Sequence, residues 1–232
     1  MPPAGIDLVV FDCDGVLVDS EVLACRAVAD TLAAFGHAVP VESIAERFTG
    51  VSNKDMYAAL AVDIGGPLSE EFDAAMKRCA LDLFERELAA IAGLAAVLSQ
   101  LAVAKCVASS SLPDDIAWKL RRTDLLRWFP ATAIFSTALV ARGKPAPDIF
   151  LYAAEKMGVS PGRAIAIEDS APGVTAAKAA GMATFGFAGG SHCRPGHAAR
   201  LEAAGADLVF ADMRELAGLI AARDPPISER RP

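Results

Sequence analysis

The chain has 232 residues, 53% of them apolar, and a formal net charge of −7 at pH 7. That is ample material for a packed core in one large or two small domains. The acidic balance argues against broad affinity for nucleic acid or membrane surfaces, and no apolar run reaches membrane-spanning length without a charge.

The first residues, MPPAGIDLVV, carry no basic region, so no signal peptide is expected. Ile6 to Phe11 is a short, β-branched apolar run that stops on Asp12, with Asp14 two residues on and Gly15 next. It reads as a strand buried on both faces. The i, i+2 spacing sends both carboxylates the same way if strand geometry persists. Two like charges that close are costly unless they share a cation or a proton. A solvated Asp-x-Asp turn is an equal reading of this stretch taken alone. An EF-hand loop fits poorly, because Val16 stands where a third ligand belongs and Gly15 comes too early.

Helical spacing follows. Glu21 to Phe35 carries Val22, Leu23, Ala27, Val28, Leu32 and Phe35 on one stripe and ends at Gly36. Pro40 to Phe48 reads as a short helix, then a loop, Thr49 to Ser52, then a helix over Asn53 to Asp63. Ser69 is placed to cap a long helix running to about Ala90, with Glu70 and Glu71 in its first turn.

Strands resume at Ala104 to Ala108, which leads into Ser109, Ser110 and Ser111. Ser111 and Asp114 resemble a capping box for a helix reaching Leu120. Ala133 to Ser136 is a third strand, and Lys144 lies in the following loop, with Pro147 suited to a first helical turn. Ala164 to Ile167 is a fourth strand ending in Glu168 and Asp169, and Ser170 is placed to cap the next helix. Ala183 to Phe187 and Asp207 to Phe210 complete the strands, and Arg223 to Pro232 reads as a frayed tail.

Alternating strands and helices predict an α/β fold with a doubly wound parallel sheet. A parallel crossover needs only a dozen or more residues, yet roughly ninety separate the first two strands here. The expected organisation is an α/β core over 1–19 and 92–222, an inserted α-helical domain over 20–91, and a flexible tail over 223–232.

In such a sheet the carboxyl ends of the strands share one edge, so Asp12 and Asp14, Ser109 and Ser110, Lys144, and Glu168 with Asp169 can converge. Acids, hydroxyls, one ammonium and helix-terminal amides suit a phosphate held against Mg²⁺. Taken singly, the serines read as caps, Lys144 as a solvated lysine and Glu168-Asp169 as a weak acidic pair. Their joint occurrence, each after its own strand, favours a site. Gly143-Lys144 is not a Walker A loop, and Gly186 to Ser191 lacks the dinucleotide pattern. His192, Cys193 and His197 read as surface loop rather than metal ligands. The five scattered cysteines, with no C-x-x-C pair, indicate free thiols in a reducing cytoplasm.

The motifs D-x-D-G-V-L-V-D-S, V-A-S-S-S, G-K-P-A-P-D and E-D-S-A-P-G-V, in that order, resemble those of the haloacid dehalogenase superfamily. The likeness is to the branch with an α-helical cap, β-phosphoglucomutase-like proteins and sugar-phosphate phosphatases above all. It implies a core with a Rossmann-like sheet and an Asp12 nucleophile that becomes aspartyl-phosphate. Asp14 would serve as acid and then base, Ser109 and Ser110 would hold the phosphoryl group, and Lys144 would stabilise its charge. Asp12, the Asp14 backbone carbonyl and Asp169 would bind Mg²⁺, with Glu168 close by. Ser111, Asn53, Lys54 and Lys77 are further candidate contacts to substrate, as is Arg47, each set against a reading as an ordinary surface residue. β-Phosphoglucomutases resemble one another in a cap histidine and an arginine where this chain has Ala24 and Asn53. The expectation is therefore a cytoplasmic, Mg²⁺-dependent phosphatase of a small phosphorylated metabolite, monomeric or a weak homodimer. A hexose phosphomutase is the alternative, and a non-catalytic phosphometabolite-binding protein the third reading.

Overall fold

A computed structural model describes residues 5–48, 51 and 53–223, apart from the side chains of Asn53 and Lys54. The chain divides into two compact units, one formed by Met1–Val18 with Ala90–Pro232 and the other by Asp19–Ala89.

The first unit is built on a parallel sheet of six strands among the described residues. They are β1 (Leu8–Phe11), β2 (Ala104–Ser109), β3 (Ile134–Ser136), β4 (Ala164–Glu168), β5 (Ala183–Phe187) and β6 (Leu208–Phe210), in the order β3-β2-β1-β4-β5-β6. This is the expected doubly wound α/β fold. β1 lies between β2 and β4, and all four of its residues are fully buried. That explains why Leu8, Val9, Val10 and Phe11 show no polar alternation. Burying those four side chains contributes roughly 6–12 kcal/mol before chain entropy is subtracted. The register pairs Phe11 with Val107 on one side and with Ile167 on the other. The residues that follow these three positions therefore emerge together, and the Asp12 amide donates to the Ile167 carbonyl at 3.0 Å.

Helices α5 (Leu94–Gln100), α6 (Pro113–Arg122), α7 (Asp148–Met157), α8 (Ala171–Ala179), α9 (His197–Ala203) and α10 (Leu216–Arg223) belong to the same unit. Ile149, Phe150, Ala153 and Ala154 of α7 and Ala176 and Ala177 of α8 pack in one core with Leu8, Val10, Ala108 and Ala166. The alanines allow helix backbones to approach the sheet closely.

The second unit is helical: α1 (Glu21–Ala34), α2 (Val41–Phe48), α3 (Asn53–Asp63) and α4 (Glu70–Glu87). Leu32, Ile44, Leu60 and Phe72 form its core, and Phe35 meets Phe72 edge-on at 5.2 Å. Ser69 caps α4 as expected, accepting from the Phe72 amide at 3.1 Å.

Three local expectations need correction. The capping box at Ser111 does not form: Leu112 occupies the N-cap and Pro113 opens the helix. Pro147 takes the N-cap of α7 rather than its first turn. Helices α5, α9 and α10 were not expected, because their short Ala- and Leu-rich stretches lack a clear polar stripe. Thr49, Gly50 and Ser52 of the expected loop, and residues 224–232 of the expected tail, lie outside the described residues. Among the described residues no helix is long and apolar enough to cross a membrane.

Candidate active site

Asp12 follows β1, and the side chain of Lys144 reaches it from the loop after β3. Lys144 Nζ lies 2.7 Å from Asp12 Oδ1, 2.5 Å from Glu168 Oε1 and 3.0 Å from the Ala108 carbonyl oxygen. All three side chains are buried, Glu168 completely. An ammonium in such a place is costly unless paired, and here two carboxylates and a carbonyl surround it. Burial opposes the charge on Lys144, but Asp12 and Glu168 outweigh it and its pKa moves up. Burial pushes the Asp12 carboxyl well above the usual carboxylate range, Lys144 opposing and Glu168, Asp169 and Asp14 adding to the rise. Glu168 is raised for the same first reason, against Lys144 and with Asp169.

Carboxylate oxygens of Asp12, Glu168 and Asp169 lie within 4.8 Å of one another. Lys144 pairs with Asp12 and Glu168, and Asp169 lies against His192. An all-oxygen donor set of that kind fits a hard divalent cation. The fit does not extend to the Asp14 carboxylate, which points elsewhere. Ser111 Oγ donates to Asp14 Oδ2 at 2.7 Å, and Lys119 Nζ to Oδ1 at 2.6 Å. Lys119 also donates to Ser111 Oγ at 3.2 Å.

The serine stretch is tied down locally. Ser109 Oγ, at the buried end of β2, accepts from the Ser111 amide at 3.1 Å. Ser136 Oγ donates to the Ser111 carbonyl at 2.6 Å. Ser110 is exposed, and its carbonyl accepts from Thr137 Oγ1 at 3.4 Å.

Two glycines make room. Gly173 lies in the first turn of α8, where Ser170 caps the helix through the Gly173 amide and donates to Glu168 Oε2 at 3.0 Å. A Cβ at Gly173 would overlap the Glu168 carboxylate, and one at Gly15, whose φ is +77°, would overlap Asp169 Oδ2. Gly173→Ala is therefore expected to displace Glu168 and cut turnover at least about tenfold. Steady-state kinetics on the folded variant, read beside its melting temperature, checks this.

The structure thus gathers Asp12, Glu168, Asp169 and Lys144, with Asp14 and Ser111 bonded together. Two further candidates, Lys77 and Arg47, belong to the helical unit. Lys77 is exposed on α4 and pairs with Asp73 at 2.6 Å, and Arg47 pairs with Asp63 at 2.7 Å. The Asn53 and Lys54 side chains lie outside the described residues.

One residue escaped the sequence reading, and two that it weighed were misplaced. Lys119 shares the buried stripe of α6 with Ile116 and Leu120, and a lysine inside an apolar stripe is the signal that could have found it. His192 and His197 are buried rather than surface-exposed, which corrects the reading of that segment as a surface loop.

A parallel sheet with acids gathered past its central strands is the layout of an α/β enzyme working at the carboxyl edge of its sheet. The family model described as haloacid dehalogenase-like hydrolase matches residues 6–181, and the chain belongs to that family. It is 32% identical over 191 residues to 6-phosphogluconate phosphatase of Escherichia coli K12, covering 82% of this chain and 86% of that protein. Among solved structures, it superposes on a conserved haloacid dehalogenase-like protein of unknown function from Agrobacterium tumefaciens with a TM-score of 0.85 and 39% identity. The match covers 95% of this chain and 100% of the other. A family hydrolase from Deinococcus radiodurans, solved with bound phosphate and sodium, gives 0.80 and 32%, over 95% and 97%.

Proposed function

We propose that the chain is a Mg²⁺-dependent phosphatase that hydrolyses a small phosphomonoester, a sugar phosphate or related metabolite, through an aspartyl-phosphate. The observation that carries this reading is the buried group of Asp12, Glu168 and Asp169, with Lys144 paired to the first two. The likeness to a 6-phosphogluconate phosphatase, and to a relative that holds phosphate, supports the substrate class.

Asp12, Glu168, Asp169 and the Asp14 carbonyl would hold Mg²⁺. When bound, it supplies the positive charge that keeps Asp12 ionised and offsets charge on the phosphoryl oxygens. Asp12 attacks phosphorus, the ester P–O bond breaks, and Asp14 gives its proton to the departing alkoxide. Asp14, now a carboxylate held by Lys119 and Ser111, takes a proton from the water that attacks the phospho-Asp12. Inorganic phosphate leaves and Asp12 is restored. Lys144, Ser109 and Ser110 balance and orient charge on the transferring group.

Residues 20–91 are assigned as the helical cap, and 1–19 with 92–222 as the catalytic core. Substrate choice is assigned to side chains of the cap, Asn53, Lys54 and Lys77 among them. The reaction is placed in the cytoplasm, with the protein a monomer or weak homodimer.

The test is a panel of phosphorylated sugars, sugar acids and related metabolites, assayed for phosphate release. Release from at least one member is expected, lost with EDTA and restored by excess Mg²⁺. Folded protein that binds Mg²⁺ and releases no phosphate would overturn the proposal. So would isomerised product without hydrolysis.

A further inference from the structure

After β5 the chain passes through residues 188–196 and enters α9, and two imidazoles from this stretch reach Asp169. His192 Nε2 lies 2.9 Å from Asp169 Oδ2, and His197 Nε2 lies 2.7 Å from the Asp169 carbonyl oxygen. Both residues are buried, at 3% and 7% exposure. Their rings pack edge to face with centroids 5.3 Å apart. Arg200 approaches His197 Nδ1 at 3.2 Å. A guanidinium only donates, so Nδ1 is the acceptor and Nε2 carries the hydrogen given to the Asp169 carbonyl. The carboxylate opposite His192 Nε2 likewise requires a hydrogen on that nitrogen.

The surroundings are cut to fit the His192 ring. A Cβ on Gly190 would meet its Cε1 and Nδ1, and one on Gly15 would meet its Cε1. His192 Nδ1 is buried without a hydrogen-bond partner among the described residues. A half-satisfied buried imidazole is a poor choice for mere filling. The ring is oriented for Asp169, not for its own solvation.

We propose that His192 and His197 are positioning residues that fix Asp169, at its side chain and its backbone, in the orientation that binds the cation. The inference rests on the reading of Asp12, Glu168 and Asp169 as the Mg²⁺ site. Partners that orient a ligating carboxylate govern metal affinity. Held at both points, Asp169 stays against Asp12 and Glu168 when no cation is there to draw it in. His192, Cys193 and His197 also bring ligand atoms within 4.8 Å of one another, a soft set suited to Zn²⁺. Both Nε2 atoms face Asp169, and His192 Nε2 is nearer to Asp169 Oδ2, at 2.9 Å, than to Cys193 Sγ, at 3.5 Å, which favours the positioning role.

The test is Mn²⁺ binding to the full chain without substrate, followed by the electron paramagnetic resonance signal of free Mn²⁺. His192→Ala is expected to weaken binding roughly 10- to 100-fold. His192→Gln keeps an N–H donor near the Nε2 position and is expected to recover most of the affinity, with kcat restored at saturating Mg²⁺ and KM for substrate nearly unchanged. If the alanine variant does not fold, His192→Asn replaces it, since its amide is too short to reach Oδ2 and is expected to bind weakly. Cys193→Ala is expected to bind Mn²⁺ as the wild type does. Wild-type affinity in folded His192→Ala or His192→Asn would overturn the positioning role. So would Zn²⁺ binding that is lost in Cys193→Ser and competes with Mn²⁺. Asp169→Asn separates the two levels: if wild-type Mn²⁺ binding does not depend on Asp169, the cation-site reading fails first.

Discussion

Asp12→Asn is expected to abolish phosphate release, by on the order of 10⁴-fold or more, without unfolding the protein. Asparagine keeps the shape of the side chain and an oxygen for the Lys144 ammonium, now 2.7 Å from Oδ1. Under the proposed mechanism it removes the negative charge that attacks phosphorus. Burial, with the charges of Glu168, Asp169 and Asp14, already pushes the Asp12 carboxyl well above its usual range. A group raised in this way destabilises the folded state at neutral pH, so its neutral isostere should melt no earlier than wild type in chelator. Added Mg²⁺ should stabilise the variant less than wild type, because one of the proposed ligands is gone. Melting curves with EDTA and with Mg²⁺, beside a phosphate-release assay, check both parts. Retained turnover would remove Asp12 as the nucleophile.

Lys144→Ala is expected to damage both stability and activity. It strips the ammonium from Asp12 and Glu168, which are buried around it. Breaking a buried pair by removing one partner costs about 3–5 kcal/mol, and loss of a charge-stabilising group about 10²–10³ in turnover. The pH dependence has a definite sign. Asp12 and Glu168 are both raised in the folded state, and without Lys144 they rise further. The folded variant therefore holds protons that the unfolded chain has released, so its stability falls as pH rises above the unfolded carboxyl range. The deficit should be greatest near neutrality and shrink toward about pH 5. Denaturant titrations across that range test it, and a deficit independent of pH would contradict the electrostatic account.

The sheet was legible because its strands are short apolar runs that end at chemically distinctive residues. Phe11 then Asp12, and Ile167 then Glu168, mark strand ends by an abrupt change from apolar to acidic. Once those ends share an edge, the register of β1 with β4 brings the acids together. What the sequence hid depends on contacts made across the chain. Lys119 pairs with Asp14 from 105 positions away, and on α6 it looks like a lysine favoured near any helix C-terminus. Ser111 looked like a cap, yet Pro113 brings no N–H to be satisfied at the start of α6, and the hydroxyl bonds to Asp14 instead. His192 and His197 sit in a Gly- and Pro-containing segment that reads as exposed, and only the fold shows that it turns inward on Asp169.

The central place of β1 also bears on how the protein is made. Its two neighbours pair Leu8 with Ala104 and with Ala164, so the first strand leaves the ribosome long before either partner does. At roughly 5–20 residues per second, an apolar segment waits about 5–20 seconds for its first hydrogen-bonded neighbour. The contiguous helices between them need no such delay, because their contacts are local. Nascent chains are thus expected to condense from the insertion first and to need shielding at their leading end until synthesis has passed β4.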